Sequence, residues 1–233
     1  MSFVSDHPIS RRWPATDPTI LQLYSFPTPN GVKASIALEE TGLPYEARTI
    51  KLNETTTPEF LSLNPNNKIP AIIDPNGPNG QPLVLWESGA ILIYLAEKTG
   101  MLLSTDPADR AETLQWLMFQ MGGIGPMFGQ YGYFSAFTGK NIEDPRPRKR
   151  YQDESIRLLT VLEKHLEGKE YMVADEYSIA DIAIWPWIHS AKVFYKADKA
   201  LGYDKAPNVM RWLDHCMDRP ASKRGLDIPD PEG

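Results

Sequence analysis

Two hydrophobic rhythms divide the chain. From Thr19 to about Gly100, short apolar runs alternate with helical stretches. "TILQLY" predicts a strand. After Gly31, Ala34, Ala37 and Leu38 fall at i, i+3 and i+4, the spacing of one buried helix face. Gly42 and then Pro44 stop that helix. "YEARTIKL" reads as a second strand, and Thr57-Pro58 opens a short helix carrying Phe60 and Leu61. "NNKIPAIID" and "QPLVLWE" read as a hairpin around the turn-rich "PNGPNG", with Pro70 at a strand start, where proline is tolerated. "ESGAILIYLAEKTG" is again helical, with Ile91, Tyr94, Leu95 and Lys98 along one side. The order β-α-β-α-β-β-α predicts an α/β layer architecture.

From Asp106-Pro107 onward the rhythm is helical throughout. Leu114, Leu117, Met118 and Met121 recur at helical spacing, as do Tyr151, Ser155, Leu158, Leu159, Leu162 and Leu166, and then Val209, Trp212, Leu213 and Cys216. Ser178 with Asp181 resembles a capping box. It opens "IADIAIWPWI", which Pro186 is expected to kink or divide. The expected organisation is therefore a polar N-terminal arm (1–18), an α/β domain (19–100), a linker (101–107) and an all-α domain (108–233).

Composition narrows the function classes. The net charge of −6 disfavours general nucleic-acid binding, which needs a basic footprint. No apolar run approaches the ~18 residues that span a bilayer. The single cysteine, Cys216, excludes an intrachain disulfide and a cysteine zinc site, and points to a reducing, cytoplasmic setting. Cys216 sits on an apolar helix stripe, where thiols are usually inert. Four histidines at 7, 165, 189 and 215 lack ligand spacing, so no metal site is expected. "GGIGPMFG" interrupts a helix and follows no strand; it reads as a kinked helix with small residues at a packing crossing.

Four constellations remain open on local grounds. Glu87-Ser88 lies where a strand feeds a helix. Ser88 can simply cap, or Ser88 and the helix N–H groups can hold a carboxylate while Glu87 holds an ammonium. In "NKIPA", a cis Ile69-Pro70 bond would expose the Ile69 backbone for pairing with a peptide, whereas a trans bond is the commoner state. "PRPRKRY" is either a solvated loop or a source of positive charge for an anionic ligand or a neighbouring subunit. In "TPNG", turn chemistry makes Asn30 an N-cap and Thr28 a turn residue.

The motifs come in one recognisable order: "TPNGVKASIALEE", "NPNNKIPAI", "ESGAILIYLAEKTG", "LQWLMFQMGGIGPMFGQ" and "YSIADIAIWPW". From about Ile20 to Pro220 the chain resembles a cytosolic glutathione transferase. It is most similar to the Nu class, the bacterial group akin to fungal nitrogen-regulator-like transferases. The resemblance implies a thioredoxin-like N-terminal domain, an all-α C-terminal domain, a homodimer, and glutathione as co-substrate. It implies that Pro70 is a cis-proline, that Lys68 and the Ile69 backbone contact glutathione, and that Glu87 and Ser88 read its γ-glutamyl end. It matches Arg150 to an arginine at the ligand site and puts Thr28 and Asn30 beside the glutathione sulfur. The implied activity is glutathione-dependent disulfide reduction with some peroxide reduction. Conjugation of small electrophiles and a non-catalytic regulatory role are the alternatives. Relatives often carry a longer loop with a glutathione-contacting Gln or basic residue where this chain has "NETTTPEF", with only Thr55 or Thr56 as substitutes.

Overall fold

The computed structural model describes residues 2–232 and divides them into two compact units. The first contains the residues up to Met101 together with those from Pro220 onward; the second runs from Leu102 to Arg219.

The first unit opens with a short helix α1 (Phe3–Asp6) and a 3-10 turn, Pro8–Arg11. Then follow β1 (Leu21–Ser25), α2 (Gly31–Thr41), β2 (Tyr45–Thr49), α3 (Pro58–Leu63), β3 (Ala71–Asp74), β4 (Leu83–Trp86) and α4 (Ser88–Thr99). The sheet order is β2-β1-β3-β4, with β1 parallel to β2 and the other pairs antiparallel. This is a thioredoxin-like arrangement. β1 is buried along its whole length, as a central strand should be. Gly42 and Gly100 end α2 and α4 in the left-handed conformation that glycine adopts without steric cost.

Both chain ends pack into this unit. Val4 and Ile9 are fully buried with Tyr24, Ile50, Phe60 and Leu63 in one core. The Glu46 carboxylate accepts from the Thr16 and Asp17 N–H groups, and the Arg48 guanidinium donates to the Pro14 carbonyl. The N-terminal arm is thus a strap over β2. Two isolated apolar residues in a polar stretch carry no periodicity, so their burial was not legible in sequence. At the other end, the Ser35 hydroxyl donates to the Gly225 carbonyl at 2.6 Å. A β-carbon on Gly225 would meet the Ile36 Cα at 2.7 Å, so the C-terminal helix Pro220–Gly225 lies directly on α2.

The second unit is helical: α5 (Pro107–Phe119), α6 (Gly125–Ser135), α7 (Arg146–His165), α8 (Ile179–Val193), α9 (Asp198–Leu201) and α10 (Pro207–Asp218). A π-helical turn, Gln120–Ile124, joins α5 to α6. The small residues there and in α6 are close-approach points. A β-carbon on Gly129 would stand 3.3 Å from the Trp187 ring, and one on Gly132 would overlap the Tyr195 ring. Of the two outcomes expected of Pro186, a kink or a division, division does not occur: α8 runs unbroken through it. The helix is buried over nearly its whole length, and that packing outweighs the one missing backbone bond. Asp181 anchors its start. Its carboxylate accepts from the N–H groups of Met172 and Ser178, the Ser178 hydroxyl and the Trp212 indole.

Candidate functional site

Three segments of the first unit converge. The first is the turn from β1 into α2. The Thr28 N–H donates to the Phe26 carbonyl at 2.7 Å, and Thr28 Oγ1 accepts from the Gly31 N–H at 3.2 Å. Thr28 therefore closes the first turn of α2. Asn30 occupies the N-cap position but makes no side-chain capping bond. Its backbone is already helical (φ −86°, ψ −36°), whereas a capping side chain needs an extended backbone beneath it. The capping role expected of Asn30 thus falls to Thr28. Asn30 Oδ1 accepts instead from Lys33 Nζ at 2.9 Å.

The second segment is the loop before β3. The buried Asn64 organises it: its amide donates to the Lys68 carbonyl at 2.6 Å, and its Oδ1 accepts from the Asn66 N–H at 2.8 Å. The Ile69-Pro70 bond is cis. Turn chemistry alone favours trans there.

The third segment is the entry to α4. Glu87 has φ 74° and ψ 114°, a region costing a non-glycine residue about 1–3 kcal/mol. The turn leaves the Glu87 side chain exposed and lets Ser88 open the helix from a buried position. Ser88 Oγ accepts from Lys33 Nζ at 3.5 Å, and the Asn66 amide reaches Glu87 Oε1 at 3.4 Å.

A cavity of about 220 Å³ lies where the three meet, lined by Asn30, Asn64, Lys68, Ile69, Pro70, Glu87 and Ser88. Six of the eight residues anticipated from sequence are therefore brought together. Thr28 stands in the adjoining turn. Arg150 lies exposed on the first turns of α7, in the second unit. Thr55 is tied into its own turn, its hydroxyl donating to the Leu52 carbonyl, and does not line the cavity.

Two residues went unnoticed in sequence. Asn64 stands in "LNPNN", a stretch that reads as ordinary loop; only its distance of four residues from Lys68 hints at a loop clamp. Lys33 lies in the first turn of α2, where a cation opposes the helix dipole. It is fully buried. Desolvation brings its ammonium down to about 7, and the nearby Glu87 carboxylate partly opposes that fall.

A cis-proline loop facing two helix N-termini across a parallel-antiparallel sheet defines the thioredoxin-like class of ligand site. Comparison with known proteins is narrower. Residues 20–97 match the glutathione S-transferase N-terminal domain and residues 126–220 its C-terminal domain. The disulfide-bond oxidoreductase YfcG of Escherichia coli is 45% identical over 210 residues, covering 89% of this chain and 94% of its own. A glutathione transferase from Pseudomonas putida, crystallised with one glutathione disulfide per subunit, superposes with a TM-score of 0.96 at 59% identity, over 98% of this chain and 100% of its own. One from Burkholderia graminis, with two glutathione molecules per subunit, gives 0.96 at 60% identity, over 99% and 97%. The chain belongs to the glutathione S-transferase family. Among the described residues no acidic, histidine and cysteine cluster is arranged to hold a metal, and no helix is long and apolar enough to cross a membrane.

Proposed function

We propose that the chain is a glutathione-dependent disulfide-bond reductase in which bound glutathione is the nucleophile. The observation that carries this reading is the cavity itself: amide, hydroxyl and backbone donors converge there, and none of its lining residues is a cysteine, a histidine or a tyrosine. The one cysteine is fully buried on α10. The relatives named as disulfide oxidoreductases, and the neighbours crystallised with glutathione or its disulfide, support the same reading.

In this scheme Glu87 takes the γ-glutamyl ammonium and Ser88, with the first N–H groups of α4, takes the carboxylate. The Ile69 backbone pairs with the cysteinyl unit, beside Lys68 and Pro70. Asn30 and Thr28 face the sulfur. Thr28 Oγ1 already accepts from the Gly31 N–H, which leaves its own proton to be donated. A free thiol has a pKa of ~8.5. Hydrogen bonds to a charged group contribute ~1.5–3 kcal/mol each, and one pKa unit requires ~1.4 kcal/mol; sulfur is a diffuse acceptor that takes the low end, so two donors lower the thiol by about two units. The thiolate then attacks one sulfur of a disulfide. A mixed disulfide forms and the other sulfur departs as thiolate, taking up a proton. A second glutathione thiolate attacks the glutathione sulfur of the mixed disulfide and releases the second substrate thiol. Two glutathiones are oxidised to glutathione disulfide, and one substrate disulfide is reduced to two thiols.

The test is turnover of hydroxyethyl disulfide, with Asn30→Ala compared by thiolate absorbance of the bound complex. An unchanged thiol pKa and rate would remove Asn30 from the mechanism. Peroxide reduction by the same thiolate, a homodimeric assembly, and an anion-binding role for Arg150 belong to the same reading. They are checked by a hydroperoxide assay, light scattering and an Arg150→Ala binding measurement.

A second reading, conjugation of small electrophiles, draws on one feature of the second unit. Phe137 and Phe194 are exposed with ring centroids 5.8 Å apart, a ready apolar contact for an aryl substrate. Faster turnover of a dihaloarene than of the disulfide would favour it.

A further inference from the structure

Among the described residues Lys33 is the one buried lysine, and it does not line the cavity. It is 0% exposed and absent from the cavity lining, yet its Nζ reaches two residues that do line it: Asn30 Oδ1 at 2.9 Å and Ser88 Oγ at 3.5 Å. These two residues stand on different helix starts, Asn30 before α2 and Ser88 at the head of α4, 58 positions apart in the chain.

The chemistry of the ammonium makes this arrangement directional. In its protonated form, the one it holds below about pH 7, Lys33 has three protons and no lone pair, so it donates in every contact it makes. Asn30 must therefore present its carbonyl oxygen to Lys33, and its –NH2 group is turned the other way. An apolar residue in place of Lys33 would remove a donor that holds the amide oxygen away from the ligand. The same logic applies to Ser88. With Oγ accepting from Nζ, its own proton is directed away from Lys33. Both lining groups are thereby set as donors.

A methionine would fill the same space without the desolvation cost and without opposing the α2 dipole. What the lysine supplies beyond volume is the orientation of these two donors. We propose that Lys33 is a positioning residue that fixes Asn30 and Ser88 as hydrogen-bond donors, so that the cavity selects a ligand anionic at two points, a thiolate beside Asn30 and a carboxylate beside Ser88. This rests on the glutathione reading above.

The experiment compares wild type, Lys33→Met, Asn30→Ala and the double variant. Glutathione affinity is read by calorimetry and the thiol pKa by thiolate absorbance in the bound complex, with circular dichroism as the check on folding. Lys33→Met is expected to raise the bound thiol pKa by about one unit and weaken glutathione about tenfold. In the Asn30→Ala background, adding Lys33→Met should leave the thiol pKa where Asn30→Ala alone put it, because the effect on sulfur runs through Asn30. A residue that merely supports the fold would not move the thiol pKa. Should Lys33→Met fail to fold, Lys33→Gln keeps an amide donor without the charge and is expected to give a smaller rise of the same sign. A folded Lys33 variant with the wild-type thiol pKa, or additive shifts in the double variant, overturns the role of Lys33 alone. A wild-type chain that binds no glutathione overturns the underlying reading, and with it this role.

Discussion

A β-carbon placed on Gly31 would stand 1.9 Å from the carbonyl oxygen of Phe26. The obstacle is backbone, so it cannot rotate away. It is also the same carbonyl that accepts from the Thr28 N–H and so shapes the turn carrying Thr28 and Asn30. Gly31→Ala must push the turn and the helix start apart. Overpacking of this kind costs about 1–3 kcal/mol of stability. A displacement of about 1 Å at a reacting group lowers rate about a hundredfold. The expected outcome is a folded variant with a lower urea midpoint and a disulfide-reductase kcat/KM reduced by roughly two orders of magnitude. Wild-type kinetics from Gly31→Ala would mean that the turn is not the sulfur-facing wall.

The burial of Lys33 also has a thermodynamic signature. Its ammonium is brought down to about 7 in the folded chain from an ordinary 10.5. Between those values the unfolded chain holds a proton that the folded chain lacks. Unfolding then takes up a proton, and stability rises with pH across that window. Below about pH 7 the folded state bears the whole cost of a buried ammonium. Lys33→Met, measured without ligand, should therefore be more stable than wild type near neutrality. That advantage should shrink by about 1.4 kcal/mol per pH unit as pH rises toward 10. Paired urea titrations across the window read the difference directly. A difference that does not change with pH would mean that Lys33 keeps its proton throughout. The pairing of greater stability with weaker thiol activation is the trade-off expected of a strained functional group.

The sequence made the framework legible because its signals are local. Gly42 and Gly100 mark real helix ends, Thr57-Pro58 marks a real start, and the switch from alternating to helical rhythm near residue 101 marks a change of architecture. What it concealed depends on contacts distant in the chain. Lys33 reads as an ordinary surface cation until Ser88, 55 residues away, closes over it. Val4 and Ile9 look like strays in a polar arm until Ile50 and Phe60 bury them. Pro186 carries a strong local signal for a break, and the buried faces of α8 outweigh it. The exchange of roles between Thr28 and Asn30 was hidden for a subtler reason. Both are good capping residues, and backbone angles that composition does not encode decide between them.

The second unit depends on Asp181 in a way that substitution can measure. The carboxylate is fully buried and gathers two backbone N–H groups, a serine hydroxyl and the Trp212 indole N–H. Asp181→Ala removes the acceptor and leaves four donors without it inside the helical core. Each unsatisfied buried donor costs about 1–3 kcal/mol, with partial relief by relaxation. The expected loss is at least about 3 kcal/mol, read as a shift of the urea or thermal midpoint. Asp181→Asn keeps one carbonyl oxygen but turns an –NH2 toward a donor, so its loss should be of the same order. A loss under about 1 kcal/mol, the value of a surface cap alone, would mean that the buried network contributes little.

Cys216 decides whether the protein itself carries redox chemistry. It lies on α10 with Val209, Trp212 and Leu213, all fully buried, on the face turned to the helical core. A disulfide substrate cannot reach a thiol at that depth without local unfolding. Cys216→Ala should therefore lose about 1 kcal/mol of stability, the scale of one small buried group. Its hydroxyethyl disulfide turnover, its dependence on glutathione concentration and the thiol pKa of the bound complex should match wild type. A severalfold fall in turnover with an unchanged fold would require a protein-bound mixed disulfide. Mass spectrometry after denaturing acid quench would then find glutathione on Cys216. If turnover is retained and no adduct forms, both sulfurs that change oxidation state on the enzyme's side belong to glutathione, and the protein's part is confined to orienting Asn30, Thr28 and the head of α4 around them.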